Sequence, residues 1–122
     1  MEEYYKKGAL QKKSYDFALR IIKTHNDLQQ NKEFVLSGQL LRSGTSIGAN
    51  CRDSRNAQST LDFINKLNIA LKEADETAYW LELLRDGQFI TEESFDSIYN
   101  DCMELVKMLT KIIKTTKEKY IQ

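Results

Sequence analysis

The chain has 122 residues, with 18 basic and 18 acidic side chains and no proline. This length suits one domain that buries a core without disulfides or metal ions, so we expect residues 1–122 to form a single domain. The absence of proline and the 30% of charged residues are typical of long helices and argue against a sheet protein. No apolar run approaches the ~20 residues that cross a bilayer, and no signal-peptide pattern is present, so we expect a cytoplasmic protein without membrane contact.

The first predicted helix covers residues 10–30. Its apolar residues recur at helical spacing and comprise Leu10, Phe17, Ile21 and Leu28, with Ala18, Leu19 and Ile22 widening the apolar side. The polar residues 29–32 then interrupt the pattern and predict a connection.

The second predicted helix covers residues 34–53 and has a face of small residues. Gly44 and Gly48 lie four apart on one side of it, and each costs up to ~1 kcal/mol relative to alanine in a helix. We expect the close approach of another helix to offset this cost. The alternative is a helix that tolerates its glycines or breaks near Gly44.

The third and fourth predicted helices cover residues 59–86 and 91–120. Ser59 can cap the third helix, Gly87 can end it, and Thr91 marks the start of the fourth. Along both helices apolar residues recur in alternating steps of three and four, which suits near-parallel packing. With short connections, the sequence predicts an all-α, antiparallel up-down-up-down four-helix bundle.

The third helix carries more apolar surface than the core of a bundle can use. A second stripe lies opposite its core side and contains Ile69, Glu73, Glu76, Tyr79, Trp80 and Leu83. A monomer would leave this stripe in water, so we predict that it forms the subunit interface of a homo-oligomer. The alternative is an irregular bundle that buries the stripe internally. Arg42 is expected near Glu73, where a pair would fix register rather than catalyse a reaction.

The zero net charge conceals an uneven distribution. Residues 67–106 hold ten acidic and two basic side chains, whereas residues 107–122 hold five basic and one acidic. In the predicted bundle, the basic segments meet at one end. This end would offer a phosphate-facing surface for RNA or DNA, formed by Lys6, Lys7, Lys12, Lys13, Arg52, Arg55, Lys111, Lys114, Lys117 and Lys119. The alternative is that these are solvated charges matched to helix dipoles.

The sequence contains no recognisable catalytic, metal or cofactor site. His25 is the only histidine, and Cys51 and Cys102 are isolated cysteines that we expect to be buried thiols. Arg20 and His25 have the spacing of the motif in helical-bundle ribonucleases of the HEPN type. However, Ile21 stands where that family has a polar residue. We therefore predict no catalytic residues, no metal and no cofactor.

Two segments resemble the signature segments of the four-helix-bundle family of the 23S rRNA intervening-sequence protein. They read QLLRSGTSIGAN at residues 39–50 and NIALKEADETAYWLELL at residues 68–84. The resemblance extends over residues 13–114. It implies a small bacterial bundle that assembles as a ring, a homopentamer, and is related to accessory proteins of diversity-generating retroelements, which bind nucleic acid and a reverse transcriptase.

Two departures from the family pattern bear on function. This chain reads Ile47-Gly48-Ala49-Asn50 where the common pattern is Ile-Pro-Ser-Asn, and it is neutral where the retroelement proteins are strongly basic. The neutral charge argues against high-affinity binding of nucleic acid. The sequence favours a non-enzymatic, homo-oligomeric scaffold that binds RNA or DNA weakly through its basic end. The alternative is an oligomeric protein-interaction adaptor that binds no nucleic acid, and a ribonuclease is a distant third.

Overall fold

The computed structural model describes residues 8–120, which form four α-helices and no strand in that range. They are α1 (Ala9–Gln30), α2 (Val35–Ser54), α3 (Thr60–Asp86) and α4 (Glu92–Tyr120). Each helix end lies within one residue of the position that the sequence predicts. The all-α fold class is confirmed.

Local side-chain chemistry defines the helix ends. The Ser59 hydroxyl accepts a hydrogen bond from the backbone N–H of Asp62 at 3.0 Å, and the Asp62 carboxylate accepts one from the N–H of Gln58. The helix α3 ends before Gly87 as predicted, but the left-handed residue of the turn is Gln88, with φ of 66°. Gly87 itself has a right-handed conformation, with φ of −79°.

Neighbouring helices run in opposite directions, as the residues that meet between them show. In three pairs of helices, residue numbers increase along one helix while the numbers of the residues that they contact decrease along the other. The contacts are Gln11–Cys51 and His25–Ser37 between α1 and α2, and Ala74–Cys102 and Glu82–Tyr99 between α3 and α4. Between α1 and α4 they are Lys13–Glu104 and Arg20–Ser97. The opposite directions of α2 and α3 follow from these three pairs. The arrangement is consistent with the predicted up-down-up-down bundle.

The core seams follow the predicted periodicity on all four helices, with one correction on α1. Leu10, Phe17, Ile21 and Leu28 are buried, whereas Leu19 is 51% exposed and Ile22 is 41% exposed. These two residues lie on the side of α1 that faces away from the core, so they do not widen the core face. The helix α1 therefore has two apolar sides.

The helices α1 and α2 approach each other closely at the two glycines. A Cβ atom on Gly44 would lie 2.6 Å from Cγ1 of Ile21, and one on Gly48 would lie 3.3 Å from the carbonyl oxygen of Ser14. The helix α2 continues through both glycines, so there is no break near Gly44. The absence of side chains here lets α1 pack directly on the backbone of α2.

An adjoining side of α2 is joined to α3 by a buried pair of hydroxyl groups. Ser43 and Thr77 are fully buried, and their side-chain oxygens lie 2.9 Å apart in a hydrogen bond. Each hydroxyl also lies within hydrogen-bond distance of a carbonyl oxygen of its own helix, so the pair adds a polar contact between α2 and α3 to bonds already made within each helix. The helix α2 thus meets α1 through glycine and α3 through small polar residues.

We expect Gly44→Ala to lower the free energy of unfolding by about 1–3 kcal/mol, because the new methyl group overlaps the Ile21 side chain. Ile21 is β-branched and has little rotamer freedom in a helix. Urea unfolding followed by the fluorescence of the single tryptophan would measure the change. Adding Ile21→Ala to the variant should make the effect of Gly44→Ala smaller.

Gly38→Ala is the matched control on the same helix, because no atom lies within 4 Å of the added methyl group. This variant should gain up to ~1 kcal/mol from helix propensity alone. Equal stabilisation by both alanine substitutions would contradict a tight contact at Gly44.

Candidate nucleic-acid and subunit interfaces

The end of α4 lies beside the connection between α2 and α3. The thiol of Cys102 donates to the carbonyl oxygen of Ala74 at 3.4 Å, which sets the register between α3 and α4. Counting fourteen residues from this contact on each helix places Thr60 level with Thr116. The last turns of α4 therefore share one end of the bundle with the end of α2.

Five cationic side chains are exposed at this end. They have no ion pair with any part of the chain that the structure describes, and we call them the basic end: Arg52, Arg55, Lys111, Lys114 and Lys117. Lys119 is also exposed there, with its ammonium 5.6 Å from the centre of the Tyr120 ring. The arrangement gives one end of the bundle a positive surface.

Two of the predicted cations are held by carboxylates. Lys12 lies 2.8 Å from Asp16, and the hydrogen bond to that carboxylate, with its charge, raises the pKa of Lys12. Lys13 is half-buried and contacts Glu104 on α4. Their charges are therefore offset locally. The remaining candidates, Lys6 and Lys7, lie outside the described residues.

The opposite end of the bundle is acidic and carries exposed apolar residues. Carboxylates stand at the end of α3 and in the first turns of α4, namely Asp86, Glu92, Glu93 and Asp96. In the two connections at this end, Phe34 is 57% exposed and Phe89 is 44% exposed, and Val35 begins α2 in an exposed position. The two ends of the molecule thus differ in both charge and apolar character.

The stripe predicted on the third helix lies on the outside of α3. We call Ile69, Tyr79, Trp80 and Leu83 the α3 outer face. Ile69 is 45% exposed and Tyr79 is 53% exposed, whereas Trp80 and Leu83 are half-buried. The Tyr79 and Trp80 rings meet edge to face with their centres 5.1 Å apart. Trp80 packs partly against the core, whereas Ile69 and Tyr79 present apolar surface that the core of one chain does not cover.

The two glutamates of the stripe are bound to α2 within one chain. The Nη1 atom of Arg42 lies 3.1 Å from Oε2 of Glu73, and its Nη2 atom contacts the Glu76 carboxylate. The indole N–H of Trp80 donates to the same Glu76 carboxylate at 3.0 Å. The pair expected between Arg42 and Glu73 therefore forms, and it extends into a network that orients Trp80.

A further exposed apolar stripe lies on α1 and includes Leu19 and Ile22, which the helical periodicity places on the apolar side of that helix. Tyr15 is 57% exposed and shares a side of the helix with Leu19 and Ile22, because the three residues are spaced by four and three. We call them the α1 outer face. The spacing was visible in the sequence, but Tyr15 was not recognised as its third member.

The structure does not bring the arginine and histidine of the ribonuclease-like motif together. Arg20 binds Asp101 on α4 at 2.6 Å and also the side chain of Ser97. His25 lies against α2 instead, with Nδ1 3.1 Å from the carbonyl oxygen of Ser37. The two side chains face different neighbouring helices.

The two cysteines are buried free thiols, as predicted. Burial raises the pKa of Cys51 to about 11 and that of Cys102 to about 12. Thiols with such values are neutral near pH 7 and are poor nucleophiles. Within residues 8–120, no group of three or more histidine, cysteine, aspartate or glutamate side chains could hold a metal ion.

Comparison with known proteins gives a family match and similar solved structures. The family model described as 23S rRNA-intervening sequence protein matches residues 6–111. A crystal structure of a protein with unknown function from the S23 ribosomal protein family of Bacteroides thetaiotaomicron is 57% identical, with a TM-score of 0.85. The alignment covers 86% of this chain and 98% of that one. No curated protein matches this chain, and none of the helices described is long and apolar enough to cross a bilayer.

We expect Arg42→Gln to lower the free energy of unfolding by about 1 kcal/mol at pH 7, because Glu73 and Glu76 would face each other without a cation. Salt screens both the lost attraction and the remaining repulsion, so the loss should shrink as the ionic strength rises. Urea unfolding at several salt concentrations would measure this.

The triple variant Arg42→Gln/Glu73→Gln/Glu76→Gln is the control, since it removes the cation and both carboxylates together. It should be more stable at pH 7 than Arg42→Gln alone. Equal stability of the two variants would show that the carboxylates do not need Arg42.

Proposed function

This chain belongs to the 23S rRNA-intervening sequence protein family, and from that premise we propose that it is a non-enzymatic, homo-oligomeric scaffold that binds the phosphate backbone of RNA or DNA. The proposed binding surface is the basic end. The protein would act in the bacterial cytoplasm, where both nucleic acids are present.

The observation that carries the proposal is the cluster of exposed cations at one end of a neutral protein. Arg52 and Arg55 at the end of α2 and beyond it share this end with Lys111, Lys114 and Lys117 on α4. Cations without carboxylate partners can replace the counterions of a phosphate backbone, which is the main source of sequence-independent affinity. Lys12 and Lys13 would contribute less, because each is already engaged by a carboxylate.

Oligomerisation would increase the effect of this surface. A neutral monomer with five such cations offers a small contact, whereas a ring of copies, pentameric in the form that we propose, would present the basic end several times. The exposed α3 outer face supports assembly, because apolar residues there would gain from contact with another chain. A repeated, weakly basic surface suits a scaffold that holds nucleic acid without reading its sequence.

The side chains of the described residues that could serve catalysis are engaged in other contacts. Arg20 and His25 contact different helices, and both thiols are buried with raised pKa values. Arg20 also has a structural task, because it ties α1 to Asp101 and Ser97 of α4.

A protein-interaction adaptor is the second candidate, and one specific observation favours it. The acidic end exposes Phe34, Val35 and Phe89 beside the carboxylates that begin α4. Apolar residues rimmed by charge are typical of protein contact sites. This function would leave the basic end without a ligand, so nucleic-acid binding separates the two candidates.

We expect structured RNA and duplex DNA to bind with an affinity that falls steeply with salt, and Lys111→Gln/Lys114→Gln/Lys117→Gln to weaken this binding. Removing three phosphate contacts should make the slope of log K against log salt shallower by about 2 to 3. Fluorescence anisotropy of labelled RNA and DNA across a salt series would measure both effects.

Lys23→Gln/Lys32→Gln/Lys72→Gln is the matched control, because it makes the same change in net charge with lysines that lie away from the basic end. Its binding should stay near that of the unmodified protein. Equal weakening by both variants would refute a localised site, and no binding at low salt would favour the adaptor.

We expect Trp80→Glu to convert the oligomer into folded monomers of 14.2 kDa, because it places a charge within the α3 outer face. Light scattering coupled to size-exclusion chromatography would give the mass, and circular dichroism would check the fold. Phe89→Glu, which changes an exposed aromatic residue outside that face, should keep the mass of the unmodified protein. An unchanged mass in Trp80→Glu would contradict the interface.

A further inference from the structure

The acidic end exposes three large apolar side chains, which lie in or next to its two connections: Phe34, Val35 and Phe89. The Ser43–Thr77 hydrogen bond sets the register between α2 and α3. Counting eight residues from this contact on each helix places Val35 level with Arg85, in the last turn of α3. The two connections therefore lie at the same level of the bundle, and their apolar side chains share one end.

Apolar and anionic side chains line the same groove at this end. The groove has a volume of about 460 Å³ and includes Phe89 together with the carboxylates of Asp86 and Glu92. Arg85 also lines the groove, but its Nε donates to Asp86 at 2.9 Å and its guanidinium lies 4.2 Å from the centre of the Phe95 ring. Since Asp86 offsets Arg85, Glu92 gives the groove a net negative charge.

A second groove joins the first at the start of α4. It has a volume of about 550 Å³, and Thr91 lines both grooves. Glu93 lines the second groove. Two cations are also present there, but Lys23 is paired with Asp27 at 3.7 Å and Arg20 with a carboxylate of α4. The joined grooves therefore pass both carboxylates of the first turn of α4.

The carboxylates at the start of α4 are not neutralised within the chain. Glu92, Glu93 and Asp96 are exposed and form no ion pair within residues 8–120. Lys32 is the only cation in the two connections at this end. A ligand that complements this surface must bring positive charge beside an apolar side chain.

We propose that the acidic end binds a basic segment of another protein, in which apolar side chains stand among lysines or arginines. The apolar side chains contact Phe34 and Phe89, and the cations face Glu92 and Glu93. This contact goes beyond the proposed scaffold, because it gives the end opposite the nucleic-acid surface a ligand of its own. It does not involve the basic end, so it does not depend on the binding of phosphate there.

A fluorescent peptide of lysine and leucine is the probe, and its anisotropy measures binding to the unmodified protein at low salt. Replacing the leucines of the peptide by serine should weaken binding about tenfold, because the apolar contact is lost. Replacing the lysines by glutamate should abolish binding. Equal binding of all three peptides would overturn the proposal.

Substitutions at the acidic end test the location of the site. Glu92→Gln/Glu93→Gln/Asp96→Asn should weaken binding of the lysine–leucine peptide about tenfold, as expected for the loss of three exposed ion pairs. Phe34→Ala/Phe89→Ala should weaken binding of this peptide but not that of the serine peptide. All five side chains are exposed, so both variants should keep the fold, which circular dichroism would check.

Asp53→Asn/Asp75→Asn/Glu118→Gln is the matched control, because it makes the same change in net charge with exposed residues outside the acidic end. Its affinity for the peptide should equal that of the unmodified protein. Equal weakening by both triple variants, or no binding of the lysine–leucine peptide at low salt, would overturn the proposal.

The variant Lys111→Gln/Lys114→Gln/Lys117→Gln distinguishes this proposal from the nucleic-acid scaffold. It should bind the peptide as the unmodified protein does while its binding of RNA and DNA is weakened. An unmodified protein that binds the peptide but no nucleic acid would refute the scaffold alone. One that binds nucleic acid but not the peptide would refute the contact at the acidic end alone.

Discussion

The close approach of α1 to the backbone of α2 is the constraint on which the rest of the structure depends. Gly44 leaves space for Ile21, and Gly48 brings α2 against the carbonyl group of Ser14. On an adjoining side, α2 meets α3 through the buried Ser43–Thr77 pair. A helix with such small residues lets both α1 and α3 pack close to it.

This arrangement separates two kinds of surface on one small bundle. The sides of α1 and α3 carry exposed apolar residues, whereas the two ends differ in charge. Contacts between subunits would use the sides, and the basic end would stay available for phosphate groups. The net charge of the chain is zero because the acidic residues at one end of the bundle offset the basic residues at the other. Each end can therefore carry its own charge.

The sequence was sufficient to predict the helices and most of the core, because alternating steps of three and four residues identify one side of a helix. It was not sufficient for α1, where apolar residues occur on two sides and periodicity cannot distinguish a core side from an outer side. Leu19 and Ile22 were assigned to the core for this reason. The partners of Lys13 and Arg20 lie on α4, more than 75 residues away in sequence, so their ion pairs became visible only in the folded chain.

Hydroxyl-radical footprinting of the unmodified protein tests the central claim that the α3 outer face is covered in solution. Tyr79 is 53% exposed in a single chain, and Phe34 and Phe89, at 57% and 44%, serve as internal references at the acidic end. Our account predicts slow oxidation of Tyr79 and rapid oxidation of both phenylalanines. Oxidation of Tyr79 at the rate expected for its exposure in a single chain would contradict it.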